Sequence, residues 1–199
     1  MSLLVWGVTL GLLSGLACNG RVRNLANWHL QGGGLLMGLV FVQVFISVLG
    51  EAQAPGWVSQ LVRGLWLSSF VGVFVVAIIN LRQPGMPALA AGALANVAAI
   101  LPGGNMPVAA HAVVSAGGPG NPFDIVRSIA FREAVTAADP RLLLADIFPL
   151  RWPGLLGGVV SVGDVLIMLG ISVFIMATMT SHHGTELVLQ SCGRCDGLH

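Results

Sequence analysis

Asp164 is the residue whose placement most demands a chemical explanation, because it lies inside the apolar run Val159–Thr180. With a helix starting near Val159, the carboxylate stands about 8 Å along the helix axis. An acid at that depth costs a few kcal/mol on membrane insertion scales, so it should face neighbouring helices and have a partner. Arg63, which opens the third apolar run on the same outer side, and Arg151 are the candidate partners. A structural ion pair, or a place at the helix entry beside Ser161 as N-cap, is the plainer account. Proton or ion coupling is the sharper one. It ranks second because no second buried acid is legible to complete a relay.

Asn96 sits in the middle of an Ala-rich run and must find its hydrogen bonds between helices. Interhelical bonding is the favoured role for it, and for Asn80, ahead of a substrate contact. His182, His183, Cys192, Cys195 and His199 carry zinc-binding chemistry near the C-terminus. A single Cys pair without a packed frame favours a flexible tail over 182–199, so no metal is expected. His29 falls on the same expected face as His182 and His183 but outside the apolar runs, which leaves haem poorly supported, and His111 reads as a hydrogen-bonded loop residue. The turn Pro102–Pro107 lacks the GK[ST] ending of a phosphate loop and follows no expected strand, which excludes nucleotide binding. Ser and His occur without an acid partner, and paired intramembrane carboxylates and HExxH patterns are missing. These observations point to a non-catalytic protein without a cofactor.

The elements that must position these residues are apolar. Of 199 residues, 55% are hydrophobic and 9% charged, against about 25% charged in a soluble domain. Net charge is +1 and unclustered, which excludes nucleic acid as a partner. Runs over 3–18, 33–49, 64–81, 86–101 and 159–180 approach or meet the length of a membrane span, about 20 residues. The fourth would reach only about 24 Å as a helix, so it either crosses a thinned region or re-enters. The first run lacks a basic n-region and a small-residue cleavage site, so it reads as a span and not as a signal peptide. The expected fold is therefore all-α, an integral membrane bundle of five transmembrane helices over 1–181.

Small residues recur at four-residue intervals in these runs: Gly7, Gly11 and Gly15; Gly34 and Gly38; Gly64, Ser68 and Gly72; Ala91, Ala95 and Ala99. Stripes without side chains let backbones approach and supply the packing that lipid does not. Packing within the chain is the first expectation. A second subunit or a pigment-like ligand against the first helix is the other.

Arg21, Arg23 and Arg82 fall in short loops without acids, which places those loops and the C-terminus in the cytoplasm and the N-terminus outside. Arg63, Arg141 and Arg151 on the other side weaken the asymmetry. Cys18, Cys192 and Cys195 would then all lie on the reducing face. The long loop Pro102–Gly158 carries helix-start signals at Asn121-Pro122 and Asp139-Pro140. Two short amphipathic helices are expected there, at the membrane surface, packed as a lid over the outer ends of the spans. A partner-docking surface is the alternative.

Asn19-Gly20-Arg21-Val22-Arg23-Asn24-Leu25-Ala26, Arg82-Gln83-Pro84-Gly85-Met86-Pro87 and Gly103-Gly104-Asn105-Met106-Pro107-Val108 form one ordered set. Asp146-Ile147-Phe148-Pro149-Leu150, Pro153-Gly154 and Ser161-Val162-Gly163-Asp164-Val165-Leu166 form a second. In order and spacing these resemble an uncharacterised bacterial family of small multi-pass membrane proteins, domain of unknown function 5317, from about Cys18 to Met179. The resemblance implies a five-span protein of the bacterial inner membrane and no particular activity. Leu101-Pro102 departs from its pattern, which has a polar residue before the Gly-Gly pair. The function expected is that of an accessory or scaffolding subunit of a larger membrane complex, with the lipid bilayer and other membrane subunits, with bound lipid or pigment, as partners. The alternative is a small-solute or ion transporter or channel component using Asp164.

Overall fold

The computed structural model describes residues 2–27, 30–49, 56–117, 120–127, 129, 131–136, 138–151 and 158–181. The chain is mostly helical. Five longer helices, α1 (Ser2–Ala17), α2 (Gly33–Leu49), α3 (Gly56–Ile79), α4 (Met86–Ile100) and α7 (Val162–Thr180), are joined by short connections except between α4 and α7. Two of them, α3 and α7, are long and apolar enough to cross a membrane, and the other three are apolar but shorter. Local chemistry sets their starts. Gly85, at a φ of 84°, precedes α4 with Pro87 in its first turn, and the Ser161 hydroxyl accepts from the Asp164 amide to open α7.

The five helices pack as a row in the order α1–α7–α4–α3–α2. Contacts fix their directions. Gly7, Gly11 and Gly15 meet Met168, Ser172 with Ile175, and Met179 in turn, so α1 runs parallel to α7. Gly92 faces Gly163 and Gly85 faces Gly170, so α4 is antiparallel to α7. Val73 and Ala77 of α3 bury against Met86, Leu89, Ala90 and Ala93 of α4. Gly72 lies under Leu39, and Asn80 exchanges two hydrogen bonds with the Gln31 backbone (2.8 and 3.0 Å), tying the start of α2 to the end of α3. Directions therefore alternate through the sequence. At one end, Arg21 donates its amide to the Met179 carbonyl and the Asn24 side chain donates to Met179 and Ser181.

The other end carries a compact cap built from the α4–α7 connection. Strand β1 (Met106–Ala109) pairs in parallel with β2 (Arg132–Val135), and β3 (Phe148–Leu150) pairs antiparallel with β4 (Gly158–Val160). A bridge from Val108 to Asp146 joins the two ribbons. Short helices α5 (Ala110–Ser115) and α6 (Pro122–Arg127) close over a core of Val108, Ala112, Val113, Val126 and Val159. The cap is moored where Ile100 and Met106 meet Trp66, Phe70 and Leu144, and where Phe131 stacks on Trp66 at 5.3 Å.

This cap corrects two expectations. The fold is not all-α, and the two helix starts expected in the long loop open only short elements among the described residues. Asn121 does cap α6, accepting from the Phe123 amide, but α6 ends at Arg127. Asp139 likewise caps a turn of 3-10 helix, Pro140–Leu144, after which Asp146–Leu150 is extended and paired. Val159 and Val160 belong to β4 and not to the last helix. Strands of three or four residues are too short to display a period, and β1 finds its partner more than twenty residues away.

Candidate functional site at the junction of cap and helices

The close approach of α4 to α7 creates the site. A Cβ on Gly163 would collide with the Asn96 carboxamide and the Gly92 carbonyl, and only glycine leaves room for that side chain there. Asn96, 2% exposed, donates from Nδ2 to Asp164 Oδ1 at 2.7 Å. Its Oδ1 accepts from the buried Ser161 hydroxyl at 3.0 Å, and that hydroxyl accepts in turn from the Asp164 amide at 3.0 Å. Each polar group of this chain is thus satisfied by the next, which is what burial requires.

Asp146 is the residue that sequence reasoning missed. It is 1% exposed. Its amide donates to the Pro107 carbonyl (2.9 Å) and its carbonyl accepts from the Ala109 amide (3.0 Å), so β1 grips its backbone on both sides. Its two carboxylate oxygens have no hydrogen-bond partner among the described residues, and Arg132 approaches only to 3.6 Å. Burial pushes the carboxyl up to about 7; the pull of Arg132 opposes that rise, and the charge of Asp164 adds a smaller push in the same direction as burial. The expectation that no second acid is buried is therefore corrected: Asp146 is buried in the cap, and the charge of Asp164 acts on it. Asp146 lies in a short extended segment that gives no periodic signal of burial.

Asp164 meets Asn96, and neither Arg63 nor Arg151, because the α4–α7 approach places an amide at the carboxylate first. The Arg63 guanidinium instead lies over the Phe131 ring at 5.9 Å, its Nε buried without a hydrogen bond among the described residues. Arg151 donates Nε to the Ser115 carbonyl within the cap. Arg141 pairs with Glu133 at 3.0 Å and Asp139 at 2.7 Å. Hydrogen bonds from Arg141 hold Asp139 below the usual carboxylate range, and the same bonds raise Arg141.

The glycine stripes divide. Gly7, Gly11 and Gly15 form the α1–α7 seam, whereas nothing described lies within 4 Å of where a Cβ would stand on Gly34, Gly38 or Gly64. Among the described residues, Gly34, Gly38 and Gly64 therefore meet no close neighbour. His111 is exposed, as is Cys18. His29, Glu51, His182, His183, Cys192, Cys195 and His199 lie outside the described residues. Among the described residues no three His, Cys, Asp or Glu side chains come together as a metal site would need.

A capped row of five helices with a polar chain at the α4–α7 seam defines the class: a mostly helical protein with a small mixed cap. The chain belongs to the family of unknown function DUF5317, which it matches over residues 27–176. That stretch includes Asn96, Asp146, Ser161 and Asp164 and leaves out α1. No curated protein and no solved structure matches the chain.

Proposed function

We propose that the chain is a non-catalytic multi-pass protein of the bacterial inner membrane, an accessory or scaffolding subunit of a larger complex. The observation that carries this reading is the exterior of the helix row. Leu13, Leu35, Phe41, Phe45, Leu61 and Leu65 are all more than half exposed, on α1, α2 and α3. Water does not favour so much exposed apolar side chain, and lipid or other apolar helices do. The alternation of the five helices supports all five crossing, with the α1 start and the cap outside and the end carrying Arg21, Arg23 and Arg82 in the cytoplasm. The helices shorter than a full span would then sit in a locally thinned bilayer. The open backbone face at Gly34 and Gly38 supports a partner helix there.

Two measurements test it. In a cysteine-free background, a thiol introduced at Ser115 should react with an impermeant reagent in intact cells and one at Gln83 should not; equal labelling sinks the topology. In mild detergent the protein should leave native membranes with a stoichiometric membrane partner that Gly38→Leu displaces. Elution alone, unchanged by that substitution, sinks the subunit reading.

A second reading, an ion or small-solute transport component using Asp164, gains from a second, buried acid, Asp146, on which the charge of Asp164 acts. It predicts a well-folded Asp164→Asn protein that has lost pH-dependent flux in vesicles, and an unchanged flux would end it.

A further inference from the structure

We propose that Asp146 is a proton-binding site that latches the two ribbons of the cap together, closed while the carboxyl is protonated and loosened when it ionises. The geometry leaves the group little else to do. Its backbone is held by Pro107 and Ala109 and forms the bridge between the two ribbons, which fixes the buried position from which the side chain starts. At 1% exposure, with both oxygens lacking a donor among the described residues, the ionised form is uncompensated.

The charged groups around it do not remove that cost. From β2 comes Arg132, at 3.6 Å and beyond hydrogen-bonding distance. Glu133 on the same strand and Arg141 on the 3-10 turn are committed to one another and to Asp139. From α7 comes Asp164, of the same sign and already bound to Asn96. β1 and α4 contribute no ionisable side chain, and the amino terminus contributes only a weaker favourable charge. Burial without a donor, with a like charge acting on it, favours the protonated form of Asp146. The rise of Asp146 to about 7 agrees with this.

Asp146 also stands where opening would matter. Its neighbour Ile147 donates to Val160, one residue before Ser161. Loosening this segment therefore uncovers the Ser161–Asn96–Asp164 chain at the outer end of the α4–α7 seam. The direction with pH follows from linkage. A carboxyl raised from 3.8 to about 7 in the closed state makes closure most favourable below the lower value; closure weakens as pH rises through the window and levels off above the upper one.

The test uses the full chain in lipid nanodiscs and reads amide hydrogen exchange, corrected for the intrinsic rate, in 106–109 and 146–150. Protection should fall by up to about tenfold per pH unit towards about pH 7 and then level off, because opening releases one proton. Asp146→Asn should flatten the dependence, and Asp164→Asn should bring the levelling to lower pH by removing the like charge. Protection independent of pH, or the same slope in Asp146→Asn, overturns the proposal. Should Asp146→Asn not fold, infrared difference spectra of the unmodified protein decide. A protonated-carboxyl band lost near pH 7, and lost at lower pH in Asp164→Asn, supports the latch. A spectrum without such a band overturns it.

Discussion

The helix row and the cap solve the same packing problem with opposite materials. In the row, the seams between α1, α7 and α4 form where side chains are missing: Gly7, Gly11, Gly15, Gly92 and Gly163 let backbones touch. In the cap, strands are knitted by residues distant in sequence, and its surface is set by Arg132, Glu133, Asp139 and Arg141 with their ion pairs. Where the surroundings are apolar, contact gains little from hydrophobicity and depends on fit, so the seams should be sensitive to a single methyl. Where water reaches, charges are screened and a single pair matters less. The exception lies between the regions, where Asp146 is buried like a core residue and ionisable like a surface one.

The sharpest way to break this contrast is at Gly163. Gly163→Leu should abolish a monodisperse folded protein, since the added atoms meet the Asn96 carboxamide and the Gly92 carbonyl with nothing flexible to yield. Even Gly163→Ala should cost on the order of 1–3 kcal/mol or more in thermal unfolding in detergent. A stable Gly163→Leu protein would mean that the α4–α7 seam does not hold the row.

Next in size is the pH dependence of the whole fold. Because the Asp146 carboxyl is raised from 3.8 to about 7, folded protein should lose stability as pH rises through that window, by up to about 4 kcal/mol at 1.36 kcal/mol per unit. Asp146→Asn should remove that slope in denaturant titrations at several pH values. A wild-type slope of the opposite sign would show that Arg132 outweighs burial.

Asn96→Ala should come third, costing about 1–3 kcal/mol, because it strands the Asp164 carboxylate and the Ser161 hydroxyl at once. An unchanged melting temperature would show that water replaces the amide.

The smallest effects should come from positions that look alike in sequence. Gly34→Ala and Gly38→Ala, with open space beyond, should leave monomer stability within a few tenths of a kcal/mol. Asp139→Asn should weaken the cap only slightly, and less so at high salt. Its lowered carboxyl stabilises above the ordinary range near 3.8 and loses that effect as pH falls below it. A large loss on Gly34→Ala would place that face inside the chain's own packing after all.

Much of the row is legible in the sequence. Apolar runs mark the longer helices, although α3 starts at Gly56 and not Gly64, because Gly56–Arg63 is too polar to count as apolar run yet still forms helical turns. The Ser161 cap and the Gly7–Gly11–Gly15 stripe were equally readable, since a cap lies within one turn of its target and a stripe follows from helical period. The cap's strands were not, and neither was the division of the glycines into used and open stripes. Gly11 and Gly38 are indistinguishable until their neighbours are known.

What the sequence determined by itself is whatever the chain decides within a few residues: helix, cap, turn, small-residue face, and the kinship that an ordered set of such motifs carries. What only the tertiary structure decided is which distant residues meet. Asp164 finds Asn96, 68 residues away, in place of either arginine, and Asp146 loses its solvent because β1 folds over it. The state of a carboxyl depends on the water and charges around it, and those are supplied by elements to which local sequence makes no reference.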